Sequence, residues 1–393
     1  MKSWCKNLLI VSLSVAALSA CSSKDEEEEV ISPLPEIQAS VFPQIGWSTS
    51  IGDGVEEYYS RLRPTVQYGK IFAGARDGEV IAFDEKTHEQ LWSQNLNDVI
   101  KDAGIEKDFL LSAGLTVARN KVFVGGESGV LVALDAETGK SVWHAMTGGE
   151  LLSTPTVGEG IVVVNTGAGS LEAYDVDSGE QKWVHETQLP NLTLRGTGAA
   201  NYEGGGFFIG TADGKVQVIV LQNGQIAWET PVYTPKGGNE FARMADVDMK
   251  PFLSSDKLFA VSYNGNLMAM DVRTGRSVWS RKYSSFHELD SAGLNLFLVD
   301  DKSRIYAIDK RNGLERWSNA ELVNRGLTSP AVFEQYVVVG DFEGYLHFID
   351  RETGVIAGRV EVDSDGLYVQ PVVVGDKLYV QGRSGTLAEV TLP

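Results

Sequence analysis

Only two cysteines occur in 393 residues, Cys5 and Cys21. So few thiols exclude a disulfide framework and any cysteine-rich zinc or C-x-x-C-H haem site. Histidine is also scarce. His88, His144, His185, His287 and His347 show neither H-x-x-x-H nor H-E-x-x-H spacing, so no zinc motif is legible. Positive charge is in deficit, with 34 Lys and Arg against 53 Asp and Glu and a net charge of −19. Nucleic acid and anionic headgroups are bound through clustered cations, so neither is expected as a partner. The leading apolar run, LLIVSLSVAALSA over residues 8–20, has 13 residues. A membrane-spanning helix needs roughly 20. A G-x-S-x-G nucleophile motif is missing as well.

What stands at the N-terminus is Lys2 and Lys6 ahead of that run, the pattern of a secretory signal over residues 1–20. It ends Leu18-Ser19-Ala20-Cys21, which resembles the bacterial lipobox: small residues suit the peptidase cleft, and the Cys21 thiol is the group that takes the lipid. Cys5 leaves with the signal, so the mature chain has no free thiol and no disulfide. Two or more acyl chains anchor stably where one does not, so a triacylated Cys21 holds the chain at a membrane. By likeness to bacterial sorting rules, Ser22 in place of Asp implies the outer membrane, facing the periplasm. Residues 21–40 (CSSKDEEEEVISPLPEIQAS) are acidic and contain Pro, a composition expected to form a flexible tether. The remaining domain is 41–393.

Forty-two Gly, abundant Val and aromatics, and closely spaced turn signals point to an all-β domain. A repeat runs through it. Gly78, Gly129, Gly169, Gly214, Gly265, Ser303, Gly344 and Gly385 mark eight units at intervals of 38 to 51 residues. Six residues on come Asp84, Asp135, Asp175, Val220, Asp271, Asp309, Asp350 and Thr391; eight further come Trp92, Trp143, Trp183, Trp228, Trp279, Trp317 and Gly358. Pro64, Pro155, Pro251, Pro330 and Pro371 share one frame ahead of the markers, where a strand entered from a loop needs no N–H. Each unit offers four strands, with D-x-x-T-G or D-x-x-S-G as a hairpin between the third and fourth. Four strands at a period near 40 make a propeller blade.

The last unit stops just after its third strand, and Trp47 precedes the first complete unit. The count closes if residues 42–51 supply the fourth strand of the C-terminal blade, which leaves no open edge in the ring. The expectation is an eight-bladed β-propeller of four-stranded antiparallel blades with this N-terminal strand as its clasp. The Trp at each outer strand is expected to wedge against the next blade and its glycine turn; identical positions on radial blades do not converge on a ligand.

The pattern A-x-D-x-x-T-G-x-x-x-W, covering residues 47–393, resembles the repeat of pyrroloquinoline-quinone dehydrogenases. That resemblance implies the fold and, as the alternative function, a periplasmic quinoprotein or ligand-binding propeller with quinone and Ca²⁺ on the axis. No Asp, Glu and Asn cluster is legible as a calcium site, and the expectation is no cofactor, no metal and no catalytic residue.

The lipobox, the acidic tether and the segments NLTLRG (191–196), ADVD (245–248), SYNGNL (262–267), LTSP (327–330) and VGDFEGYLH (339–347) are together similar to the outer-membrane-protein assembly lipoproteins of the BamB family. The resemblance implies a non-enzymatic scaffold of the β-barrel assembly machinery. It would bind the periplasmic POTRA region of the barrel-inserting subunit BamA, meet other BAM lipoproteins only indirectly, and assist insertion of nascent outer-membrane proteins.

Long insertions follow Trp92, Trp183 and Trp228, all linking one blade's fourth strand to the next blade's first, so all emerge on one face. Leu192, Leu194 and Arg195 lie in the second of these, and Asp246 and Asp248 in the third, as neighbours on one rim. The leucines either fold back to plug the blade junction or stand out as an apolar anchor flanked by Arg, the make-up of an interface hot spot. The Asp pair is a solvated turn or orients Arg195. The family resemblance carries the BamA contacts to Leu192, Leu194, Arg195, Asp246 and Asp248.

Overall fold

A computed structural model describes residues 30–55, 57–58 and 60–393. The signal and Cys21 lie outside the described residues. Eight four-stranded antiparallel sheets follow one another along the chain. Seven are contiguous, spanning 65–95, 116–146, 156–186, 201–231, 252–282, 290–319 and 331–361. The eighth combines the three strands between 372 and 391 with Gln44–Ser50, which pairs with Thr386–Thr391. The ring therefore closes between its own ends, as the position of Trp47 requires.

Within a blade, burial follows strand order. The third strand is covered on both faces by neighbouring blades, and Val130–Asp135 is accordingly apolar and buried through Leu134. The fourth strand, such as Ser141–Met146, buries Trp143 and exposes alternate residues. The first strand is only three residues long and lies at the axis, where side chains tie each blade to the next. Thr65 Oγ1 donates to Leu115 O (2.9 Å), Thr156 Oγ1 to Ala200 O (2.8 Å) and Asn201 Nδ2 to Pro251 O (2.9 Å).

At the perimeter the tryptophans make the matching tie. Trp92 Nε1 donates to Ala136 O, Trp143 Nε1 to Val176 O, Trp183 Nε1 to Leu221 O and Trp317 Nε1 to Arg351 O, each in the following blade. Every ring lies flat on the turn glycine of that blade. A Cβ on Gly139 would sit 2.5 Å from Trp92 Cε3, so the turn glycine is required by the ring as well as by its φ of +70°. Gly375 has a similar φ of +60° and nothing within 4 Å. Gly375→Ala is thus expected to cost only the left-handed backbone penalty of about 1–2 kcal/mol, and Gly139→Ala about 1–3 kcal/mol more from overpacking. Thermal melts of the pair check this; equal losses would remove the ring from the argument.

The seam departs from the pattern twice. The turn that meets Trp47 carries His88 in place of Gly, at φ +59°, and the two rings stack at 4.5 Å. At the junction of blades seven and eight the Trp is replaced by Gly358, and the buried Val41 packs there instead. Residues 30–40, which composition assigns to a tether, lie along blades six and seven. Ser32 N donates to Val323 O, and Arg325 Nη1, Asn324 Nδ2 and Arg359 Nη2 donate to the carbonyls of Ser32, Val30 and Pro35; Ser40 N and Val41 N both reach Ala357 O. An extended segment that lacks a core of its own is held by donors from the ring.

Candidate docking rim

The loops that join blades, and the turns between second and third strands, share one end of the ring. On that end residues 187–200 and 232–251 meet: Leu194 N donates to Asp246 Oδ1 at 3.0 Å. Leu192 and Leu194 are half-buried and Arg195 is exposed. The two segments singled out in the sequence are therefore one surface.

The acids behave differently from the expectation of a solvated turn or a partner for Arg195. Asp246 is 3 % and Asp248 6 % exposed, and neither bonds Arg195. Burial pushes the Asp246 carboxyl up to about 6, the Leu194 amide opposing it and the charge of Asp248 adding to it. Its second oxygen, Oδ2, has no hydrogen-bond partner among the described residues. Burial likewise raises Asp248, against the pull of Arg61, whose Nη2 donates to Asp248 Oδ2 (2.8 Å) and to the Asp248 carbonyl (2.9 Å). Both carboxylates support the rim from beneath: Asp246 fixes the backbone of the Leu loop, and Asp248 ties the second loop to Arg61, ahead of blade one.

Arg195 is instead held by Glu127, in the marker turn of blade two, at 3.3 Å. Glu127 also accepts from Arg76 Nη1 (2.5 Å) and Ser112 Oγ, and the Arg76 guanidinium lies 4.2 Å over the Tyr58 ring. Burial raises the Glu127 carboxyl, but the bonds from Arg76 and Ser112 and the charges of both arginines outweigh it and leave it below its ordinary value. Sequence reading missed Glu127 because nothing local sets it apart from the other turn acids. It also missed Phe241, 74 % exposed on the short helix Glu240–Arg243 of the second loop, and Leu189, 48 % exposed on the first.

The axial end is closed by paired charges. Arg63 Nη1 reaches Gln370 Oε1 (2.7 Å) and Glu288 Oε2 (3.3 Å), beside the Arg61–Asp248 pair. A cavity of about 100 Å³ remains here, against roughly 300–1,000 Å³ for cofactor sites. Calcium takes six to eight oxygen ligands, whereas Asp248 and Glu288 are each ion-paired to an arginine. The described residues hold no cluster of three or more His, Cys, Asp or Glu suited to a metal. These residues do not fit a quinone with its calcium.

Fold and site together define an eight-bladed propeller with a loop rim built on the face that carries the blade connections. A family model described as outer membrane protein assembly factor BamB matches residues 76–319. An outer membrane protein assembly factor BamB of Shewanella oneidensis is 65 % identical, with 100 % of each chain covered. The chain belongs to the BamB family. The crystal structure of BamB from Moraxella catarrhalis superposes with a TM-score of 0.80 at 24 % identity, covering 89 % of this chain and 100 % of that one. The quinohemoprotein alcohol dehydrogenase of Comamonas testosteroni shares the fold alone, with a TM-score of 0.71 at 15 % identity over 89 % of this chain and 76 % of the other.

Proposed function

We propose that this chain is a non-catalytic component of the β-barrel assembly machinery, anchored to the outer membrane through lipid on Cys21 and facing the periplasm. It docks the POTRA region of a BamA-like subunit through Leu192, Leu194 and Arg195, with Asp246 and Asp248 as buried supports of that rim. The observation that carries the reading is the Leu194–Asp246 bond, which joins two of the ring's long insertions into one built surface. Half-exposed leucines beside an arginine already oriented by Glu127 suit an interface centre, because little side-chain entropy is left to lose on binding. The outer strand of each blade pairs on one side only, which leaves edges for nascent barrel strands to join by β-augmentation.

Leu194→Ala with Arg195→Ala is expected to weaken binding of the isolated POTRA partner by about 2 kcal/mol or more, roughly 30-fold. Circular dichroism should show the fold intact, because neither side chain is in the core. Undiminished binding by a folded variant would move the site elsewhere on the ring.

A further inference from the structure

Below the closed axial end, the channel inside the ring widens to about 410 Å³ between the first strands of blades one to four. That volume lies within the range of small-molecule sites. On a chain with a net charge of −19, the charged groups lining this space are Arg63 and Lys250, and no carboxylate lines it among the described residues. The wall offers few other donors. Thr65 and Thr156 already direct their hydroxyl hydrogens to carbonyls of the next blade, and Thr116 does the same toward Pro155 O.

Lys250 is the anomaly. Its backbone is pinned between the fully buried Met249 and Pro251, whose carbonyl accepts from Asn201. Arg61, Arg63 and the acids around the axis are engaged with one another, but the Lys250 ammonium has no hydrogen bond or ion pair with a described residue. Burial lowers its pKa; Glu288 offsets this from a distance, and Arg63 adds to it. A half-buried ammonium without a partner works against folding.

We propose that this channel is an anion site, in which Lys250 and Arg63 receive a phosphate or carboxylate group of a small ligand. The inference does not rest on the docking function, since the site lies among the first strands and the rim in the loops of the connector face.

The test uses the full chain and two probes, inorganic phosphate and succinate, each against chloride at matched ionic strength, by thermal shift and calorimetry. A rise in melting temperature that saturates with probe is expected for the wild type, the better probe giving the class of anion. Lys250→Met is expected to melt higher than wild type without probe, because a buried cation is gone. It should bind the probe about tenfold more weakly or worse, the size of one lost charge-assisted hydrogen bond. Lys70→Met, which removes a perimeter lysine paired with Glu137, should leave the response unchanged. Absence of a probe-dependent shift in the wild type, an equal shift in Lys250→Met, or a Lys250→Met protein that melts lower than wild type would each overturn the proposal. The last result would make Lys250 a structural partner of Glu288.

Discussion

Arg325→Met is expected to destabilise the propeller by about 3–5 kcal/mol, a large part of the roughly 5–15 kcal/mol that holds a typical domain. Arg325 is the largest fully buried side chain, 1 % exposed. Its Nε donates to Asp341 Oδ2 (2.9 Å), its Nη2 to the same carboxylate and to Glu343, and its Nη1 to Ser32 O. Asp341 is itself fully buried, with Oδ1 accepting from Glu343 N and Tyr345 N and Oδ2 from His347 Nε2. Methionine fills the volume but leaves that carboxylate with one fewer charge partner. The loss is therefore mostly the uncompensated charge of Asp341 and not the contact itself.

The pH dependence has a definite sign. Burial raises the Asp341 carboxyl, but His347 and Arg325 outweigh it and hold it below its ordinary value. Its stabilisation is thus full above the unfolded carboxylate pKa and disappears as pH falls through the lowered folded value. In Arg325→Met that lowering shrinks, so acid unfolding should begin at higher pH. Urea melts at pH 7.5 give the first point, and acid titrations of both proteins from pH 5 down through the carboxylate range give the second. Glu343→Gln, whose side chain is 46 % exposed, should change stability by less than about 1 kcal/mol. If both variants lose the same small amount, the network is not what holds blade seven.

How far the sequence discloses this molecule depends on whether a feature repeats. The marker glycines, the D-x-x-T-G turns and the tryptophans recur because each blade solves the same packing problem, so blade number and closure through Trp47 are legible by counting. Even the exceptions are local: positive φ shifts from the marker glycine to Asn264 in blade five, a residue type that visits this region, and falls on Ser303 in blade six, which bears the left-handed cost. Leu192 to Arg195 and Asp246 were legible as interruptions of the pattern, and their adjacency followed from strand direction. Their environment was not. Whether an Asp in a loop is solvated or buried depends on what packs over it, here the Leu loop and Arg61, and Glu127 is 68 residues from the Arg195 it holds. The same limit applies to residues 30–40: composition predicts that such a segment cannot order itself, but the donors that order it, Asn324, Arg325 and Arg359, come from two blades at the other end of the chain.

Gly358 is where the repeat and the ring make opposite demands, and Gly358→Trp, which restores the repeat, is expected to destabilise the protein by about 3 kcal/mol or more. Consensus substitutions in repeats usually stabilise. Here the partner surface is missing. Each tryptophan packs on the turn between third and fourth strands of the next blade, but in blade eight those strands are the two ends of the domain, Thr386–Thr391 and Gln44–Ser50, with no turn between them. The incoming segment fills the gap: Ser40 N and Val41 N both bond Ala357 O, and a Cβ at 358 would collide with the Val41 carbonyl. An indole at 358 must therefore displace Val41 and break the two bonds beside it. The expected signature is a lower melting temperature, with faster hydrogen exchange at the amides of Ser40 and Val41 and new proteolysis ahead of residue 44. A chain that begins at residue 44 has no strap to displace, so the same substitution should cost about 1 kcal/mol or less there, and the cycle should give a coupling of about 2 kcal/mol. Equal costs in the two backgrounds would show that the missing tryptophan and the N-terminal strap are independent, and that the ring closes through its terminal strand alone.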